Sequence, residues 1–227
     1  VTAAAVMALV LLATGQSETR LSAERAESSI GSALCAYGLL LRDWHFLGLV
    51  FVGAFGISSF FAYLANSSFV LINHYGLSPR QYSIAFAANA AAFIGVSQLT
   101  GNLTRRYGLV PLVRVAVCGY ACCMIALLLL NLANITRLDV MLAMLFVGFG
   151  FLGLVIPTTA VLALEEHGAI AGTASALMGT LQFLSGAVVM GVTGLFVDGS
   201  ARPMIAAIAI SAMLATLVAW RTLPHVR

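Results

Sequence analysis

From residue 45 onward, long apolar runs alternate with short polar connections six times over. Uncharged intervals lie between Asp43 and Arg80, Arg80 and Arg105, Arg114 and Arg137, Asp139 and Glu165, Glu166 and Asp198, and Arg202 and Arg221. Each is long enough for a bilayer-crossing helix, which needs roughly 17–25 predominantly apolar residues. The pattern predicts spans over about 45–72, 81–101, 112–132, 139–163, 171–196 and 203–222. The connections, roughly 73–81, 101–111, 132–139, 163–171 and 197–202, are short enough to make consecutive spans antiparallel neighbours. The first span is longer than the hydrocarbon requires and predicts tilt, a kink or an extension beyond the bilayer. No run alternates with the period of a membrane β-strand. The predicted fold class is therefore all-α integral membrane, a six-helix transmembrane bundle over residues 45–227.

Ahead of the bundle, residues 1–14 (VTAAAVMALVLLAT) are apolar but short for a crossing, and they lack a basic flank. They are expected to be the remnant of a transmembrane helix, which makes the chain part of a larger protein; a cleaved signal sequence is the weaker alternative. Residues 15–44 form the one long polar connection, with Glu18, Arg20, Glu24, Arg25 and Glu27 followed by IGSALCAYGLLL. That order suits a linker ending in a short helix on the membrane surface.

Composition reinforces the class. The chain is 61% hydrophobic and 8% charged, against about 45–50% and about 25% in soluble domains. All 11 basic residues are Arg. Arg20, Arg25, Arg42, Arg105, Arg106, Arg114, Arg221 and Arg227 fall on one side of the predicted topology, and Arg80, Arg137 and Arg202 on the other. The positive-inside rule then places the 15–44 linker and the C-terminus in the cytoplasm. Topology accounts for the net charge of +3, so no nucleic acid is expected as a partner. Cys35, Cys118, Cys122 and Cys123 show neither metal-ligand spacing nor a disulfide framework; no metal and no cofactor is expected.

Polar residues inside the spans carry the functional signal. FFAYLANSSFVLINHYG, Phe60 to Gly76, sets Asn66, Ser67 and Ser68 into an apolar run. A polar group in hydrocarbon without a partner costs several kcal/mol, so these residues are expected to meet a neighbouring helix or an aqueous substrate path. At 100° per residue, Ser59, Tyr63, Asn66, Ser67 and Asn73 share one sector, and in the next span Asn89, Phe93 and Thr100 share another. Polar stripes on several spans favour a common cavity over isolated interhelical bonds. GTASALMGTLQFLSG places Ser175, Gly179, Gln182 and Gly186 on one stripe, where Gln182 either lines that cavity or bonds another helix.

GFGFLG, Gly148 to Gly153, has the letters of a dinucleotide fingerprint but lies within an apolar span, without the preceding strand and following acid that the fingerprint needs. Its glycines are expected to serve close helix approach or bending, and Pro157 further along removes a backbone hydrogen bond. In GNLTRRYG, Gly101 and Gly108 bracket Arg105 and Arg106. Topology explains the charges, and the bracket is a candidate gating element together with Pro157. The N-x-S/T triplets at Asn66, Asn102 and Asn134 are read as chance. Catalysis finds no foothold. LEEHGAIA carries Ile170 where an intramembrane-protease motif needs Arg, His45, His74, His167 and His225 map to span ends or loops, and the absence of Lys excludes a Schiff base.

In this order, SETRLSAER, LLRDWHFLG, FFAYLANSSFVLINHYGLSPRQY, IPTTAVLALEEHG and AGTASALMGTLQF resemble the C-terminal half of a twelve-helix major facilitator transporter, specifically of the bicyclomycin-resistance (Bcr/CflA) drug:proton antiporter family. The resemblance covers nearly the whole chain. It implies secondary active export of amphipathic or aromatic drugs in exchange for protons, in a bacterial inner membrane, with a missing N-terminal six-helix half as partner; the alternative is a truncated, non-transporting protein that only packs with a partner. It further implies that the spans containing Asn66 and Pro157 line a central cavity and those containing Asn89 and Gln182 lie between halves. Ser59, Tyr63, Asn66, Ser67, Asn89, Phe93, Phe149 and Gln182 are the implied substrate-binding set. Arg105 stands where the family's loop signature has an acid, and no Asp or Glu lies at membrane depth, so the proton-carrying carboxylate is expected in the missing half.

Overall fold

The computed structural model describes residues 30–196 and 198–223, and besides them Val6, Met7, Val10, Leu11 and Gly15. Most of the predicted helix remnant 1–14, and residues 16–29 of the 15–44 linker, lie outside the described residues. Among those described there is helix and turn but no strand. A short apolar helix, α1 (Ile30–Leu40), precedes α2 (Trp44–Ser68), which continues as a π-helical turn, Phe69–His74. Then follow α3 (Pro79–Ser97), α4 (Thr100–Tyr107), α5 (Leu109–Leu132), α6 (Leu138–Glu165), α7 (Ala171–Leu195) and α8 (Arg202–Thr222).

Five of these segments are long and apolar enough to cross a membrane: α2 with its extension, α5, α6, α7 with the turn before it, and α8. The second predicted span, 81–101, differs from its expectation. Helix α3 ends at Ser97, and the chain bends by 40° into α4, so the stretch from Gly101 to Tyr107, predicted as a connection, is helical. Arg105 and Arg106 lie in its last turn, where cations oppose the negative end of the helix dipole. Gly108 alone turns the chain, at φ +83°, a conformation that suits a residue without Cβ.

Local chemistry sets the helix boundaries. Asp43 caps α2, its Oδ1 accepting from the backbone N–H groups of His45 and Phe46 at 2.9 and 3.0 Å. A reciprocal capping box starts α3: Ser78 accepts from the Gln81 N–H, Gln81 accepts from the Ser78 N–H, and Pro79 fills the first helical position. The length of the first span is absorbed by the π-turn, in which Tyr75 N–H reaches back to Val70 O, and by Gly76 at φ +72°.

Helices α2 and α6 sit at the centre. Helix α2 packs against α6, α7 and α8, while α6 packs against α2, α3 and α5, and α8 closes on α5. Their core holds Phe46, Leu49, Val52, Tyr120, Met124, Leu145, Leu152 and Ile208. Glycines let the helices approach. A Cβ at Gly153 would overlap the backbone carbonyl of Phe93 on α3, one at Gly148 the Met124 side chain, and one at Gly119 the Phe151 ring. Trp44 and Trp220 are 84% and 67% exposed at the end of the bundle that carries Arg42, Arg105, Arg106, Arg114 and Arg221, the placement of aromatic anchors at a membrane interface.

Candidate functional site

Helices α2, α3 and α6 enclose a cavity of about 290 Å³ lined by Ile57, Phe60, Tyr63, Phe86, Asn89, Ala90, Phe93, Ile94, Phe149 and Ile156. Its walls are chiefly aromatic. Tyr63 stacks on Phe86 with ring centroids 5.8 Å apart and meets Phe149 edge-on at 5.1 Å, and Phe60 lies 6.5 Å from Phe93 and 6.4 Å from Phe149. One polar contact ties two of the walls together: the Asn89 amide donates to the Tyr63 hydroxyl at 2.9 Å. Both residues are buried, so each satisfies the polar end of the other where water is excluded. No charged side chain lines this cavity.

Four predicted site residues, Tyr63, Asn89, Phe93 and Phe149, are brought together here. The others lie elsewhere. Ser59 is fully buried against α8, donating to Phe55 O at 3.1 Å and lying 3.5 Å from Ile208 O. Ser67 is also buried, its hydroxyl 3.3 Å from that of Tyr82. Asn66, half-buried, turns its amide back to Ala62 O at 2.9 Å. The common sector drawn for these residues was too wide for one cavity, because neighbouring helices divide it: α8 takes Ser59 and α3 takes Ser67. Thr100 departs from the face of Asn89 and Phe93 because α3 ends before it.

Gln182 does not reach the cavity. Its amide end occupies the space that a Cβ at Gly53 would fill, beside Thr159, so it serves the contact of α7 with the centre of the bundle. On the same stripe Gly186 makes room for the Phe61 ring, whereas Gly179 meets nothing and Ser175 is exposed. Of the gating candidates, Gly101, Arg105, Arg106 and Gly108 are exposed at the Arg-rich end, with the Arg106 guanidinium 5.3 Å from the centre of the Tyr107 ring. Pro157 lies inside α6, followed by Thr158 and Thr159, whose hydroxyls bond carbonyls of the preceding turn.

Sequence reasoning passed over Phe60, Phe86 and the aliphatic lining. The signal was present: Phe60 and Tyr63 are three apart, and Phe86, Asn89 and Phe93 are spaced by three and four, one helical face each. Among the described residues, no three His, Cys, Asp or Glu side chains are grouped so as to hold a metal ion.

Among the described residues the chain is a polytopic α-helical bundle with an uncharged aromatic cavity between three of its helices. The sequence agrees: residues 1–190 match the Major Facilitator Superfamily, and the chain belongs to it. Members of this family are transporters, not enzymes. Among its relatives is the uncharacterized MFS-type transporter YdgK of Bacillus subtilis (strain 168), 32% identical over 209 residues, which are 92% of this chain and 52% of YdgK. Another is the bicyclomycin resistance protein homolog of Haemophilus influenzae (strain ATCC 51907 / DSM 11121 / KW20 / Rd), 27% identical over 170 residues, 74% of this chain and 42% of that protein. The chain thus spans about half the length of the curated relatives it matches.

Proposed function

We propose that the chain is one half of a secondary active exporter that moves amphipathic or aromatic small molecules outward in exchange for protons, in a bacterial inner membrane with the Arg-rich end in the cytoplasm. The observation that carries the reading is the cavity between α2, α3 and α6, where aromatic rings surround a single internally satisfied amide–hydroxyl pair. Such walls bind by stacking and apolar contact and accept many ligands. The relative named for bicyclomycin resistance supports drugs as the substrate class and the Bcr/CflA group within the superfamily. Five-to-three Arg asymmetry at the helix ends supports the orientation.

Within this reading Tyr63, Asn89, Phe93 and Phe149 contact substrate. Asn66, half-buried on the same helix, faces the path beyond the cavity. Pro157 and the Gly101–Gly108 segment are where helices bend during rocking of two halves about a midplane site. The described carboxylates, Asp43, Asp139, Glu165, Glu166 and Asp198, all lie at helix ends or turns, so the intramembrane proton carrier is assigned to the partner half. The test is proton-driven efflux by the full-length gene product against a panel of antibiotics and hydrophobic cations. Drug-dependent proton movement, reduced when Phe93 or Phe149 is changed to Ala, is the expected result. A correctly inserted protein that moves no protons with any drug overturns antiport.

A further inference from the structure

At the Arg-rich end, two segments 124 residues apart in sequence meet through His167 and Asp43. His167 follows the last turn of α6 and Asp43 caps α2. Its ring is only 10% exposed and lies edge-on to the buried Phe46 ring, centroids 5.1 Å apart. Nε2 is 3.2 Å from Asp43 Oδ2, and Nδ1 is 3.2 Å from Ala163 O. Both partners are acceptors. A carboxylate and a carbonyl cannot donate, and a neutral imidazole has one N–H, so only the imidazolium satisfies both contacts. The carboxylate is held for this role: Oδ1 takes the N–H groups of His45 and Phe46, which leaves Oδ2 free for the ring.

We propose that His167 and Asp43 form a proton-binding site that ties the head of α2 to the end of α6, the two central helices of the bundle. Protonation completes both hydrogen bonds and the ion pair. Loss of the proton sets a nitrogen lone pair of the buried ring against an acceptor oxygen, and the tie opens. Clamping is therefore favoured at low pH and lost as pH rises. Partial burial pushes the Asp43 carboxyl upward, but the N–H groups of Phe46 and His45 and the charges of His167 and His45 outweigh it and hold the carboxyl below its ordinary value. Asp43 is therefore held as the carboxylate that the tie requires. The other charged or titratable side chains on the elements meeting there are Arg42 and His45 beside Asp43, Glu165 and Glu166 on α6, Cys35 and Tyr37 on α1, and Arg221 on α8; the first turn of α7, Ala171 to Ser175, has none.

Trp44, next to the cap and exposed, supplies the probe. With Cys35, Cys118, Cys122 and Cys123 replaced by Ala, bimane is attached to the full-length protein through Gly168→Cys, a position where an added side chain meets nothing. Its quenching by Trp44 is followed from pH 5.5 to pH 9, with Trp44→Phe defining the unquenched signal. The expected result is strong quenching at low pH that is lost as pH rises. That pH response should disappear in His167→Gln and in Asp43→Asn, which keeps a capping oxygen, and persist in His45→Gln. Emission independent of pH in the parent overturns the proposal, as does a response that survives in either the His167 or the Asp43 variant. Should one of the two fail to accumulate, the other gives the same comparison.

Discussion

At the scale of single residues, the site depends on one hydrogen bond and one missing methyl group. Tyr63→Phe removes the acceptor of the Asn89 amide and leaves a buried donor unpaired, at a cost of about 1–3 kcal/mol. Pairing it with Asn89→Leu should recover much of that loss, because both polar ends are then gone. Unfolding in mixed micelles of the two single variants and the double variant checks the expected non-additivity; additive losses would mean that the two groups do not depend on each other. Gly153→Ala acts differently, since its Cβ would meet the Phe93 backbone carbonyl rather than a side chain that can turn aside. Helices α3 and α6 must separate, with an expected loss of about 1–3 kcal/mol and weaker binding of aromatic ligands, because Phe93 and Phe149 line opposite walls. Equilibrium binding alongside the unfolding series tests this, and unchanged affinity would count against a role for that cavity. Four of the ten residues that line the cavity, Tyr63, Asn89, Phe93 and Phe149, were among the candidates read from the sequence. Tyr63 and Asn89 stood out as polar residues in apolar runs, but the rule that selected them also selected Ser59 and Ser67, which neighbouring helices cover. Helical arithmetic gives the face a residue occupies and not the helix that arrives there.

At the scale of elements, apolar length and charge spacing marked the central helices because lipid imposes both requirements on the sequence itself. The ends were harder to read, since they depend on individual caps. The start of α3 is an instance in which the letters were sufficient: Ser78, Pro79 and Gln81 spell a capping box with proline at the first position. Ser78→Ala should cost about 1 kcal/mol and raise hydrogen exchange in the first turn of α3 while leaving α6 protected. Uniform exchange across both helices would instead show that the cap stabilises the whole bundle. The end of α3 was not legible, because Ser97 to Leu99 hold neither Gly nor Pro. Likewise Asp43 and His167 carry no mutual signal in the sequence, and only the antiparallel packing of α2 beside α6 brings them together.

For the whole molecule, the distribution of burial separates a centre from two open flanks. Helix α7 buries little beyond Ala174, Gly186 and Thr193, and leaves Phe183 and Leu195 65% and 83% exposed. Helix α3 buries only Asn89 and Ala92. The aromatic cavity, however, is complete within the bundle, since α2, α3 and α6 all belong to this chain. Binding and transport should therefore separate. Expressed by itself, residues 1–227 should insert and retain saturable binding of a hydrophobic aromatic ligand, with Phe93→Ala weakening it, yet move nothing across a vesicle membrane. Alternating access needs a second body to rock against, and the described carboxylates of this one lie at its surface ends. Isothermal binding in detergent and proton-driven flux in proteoliposomes measure the two properties on the same preparation. Proton-dependent accumulation by this chain alone would contradict the proposed division of labour between two halves. An inserted chain that binds no aromatic ligand would move the proposed substrate contact out of the α2–α3–α6 cavity and onto a surface shared with the proposed partner half.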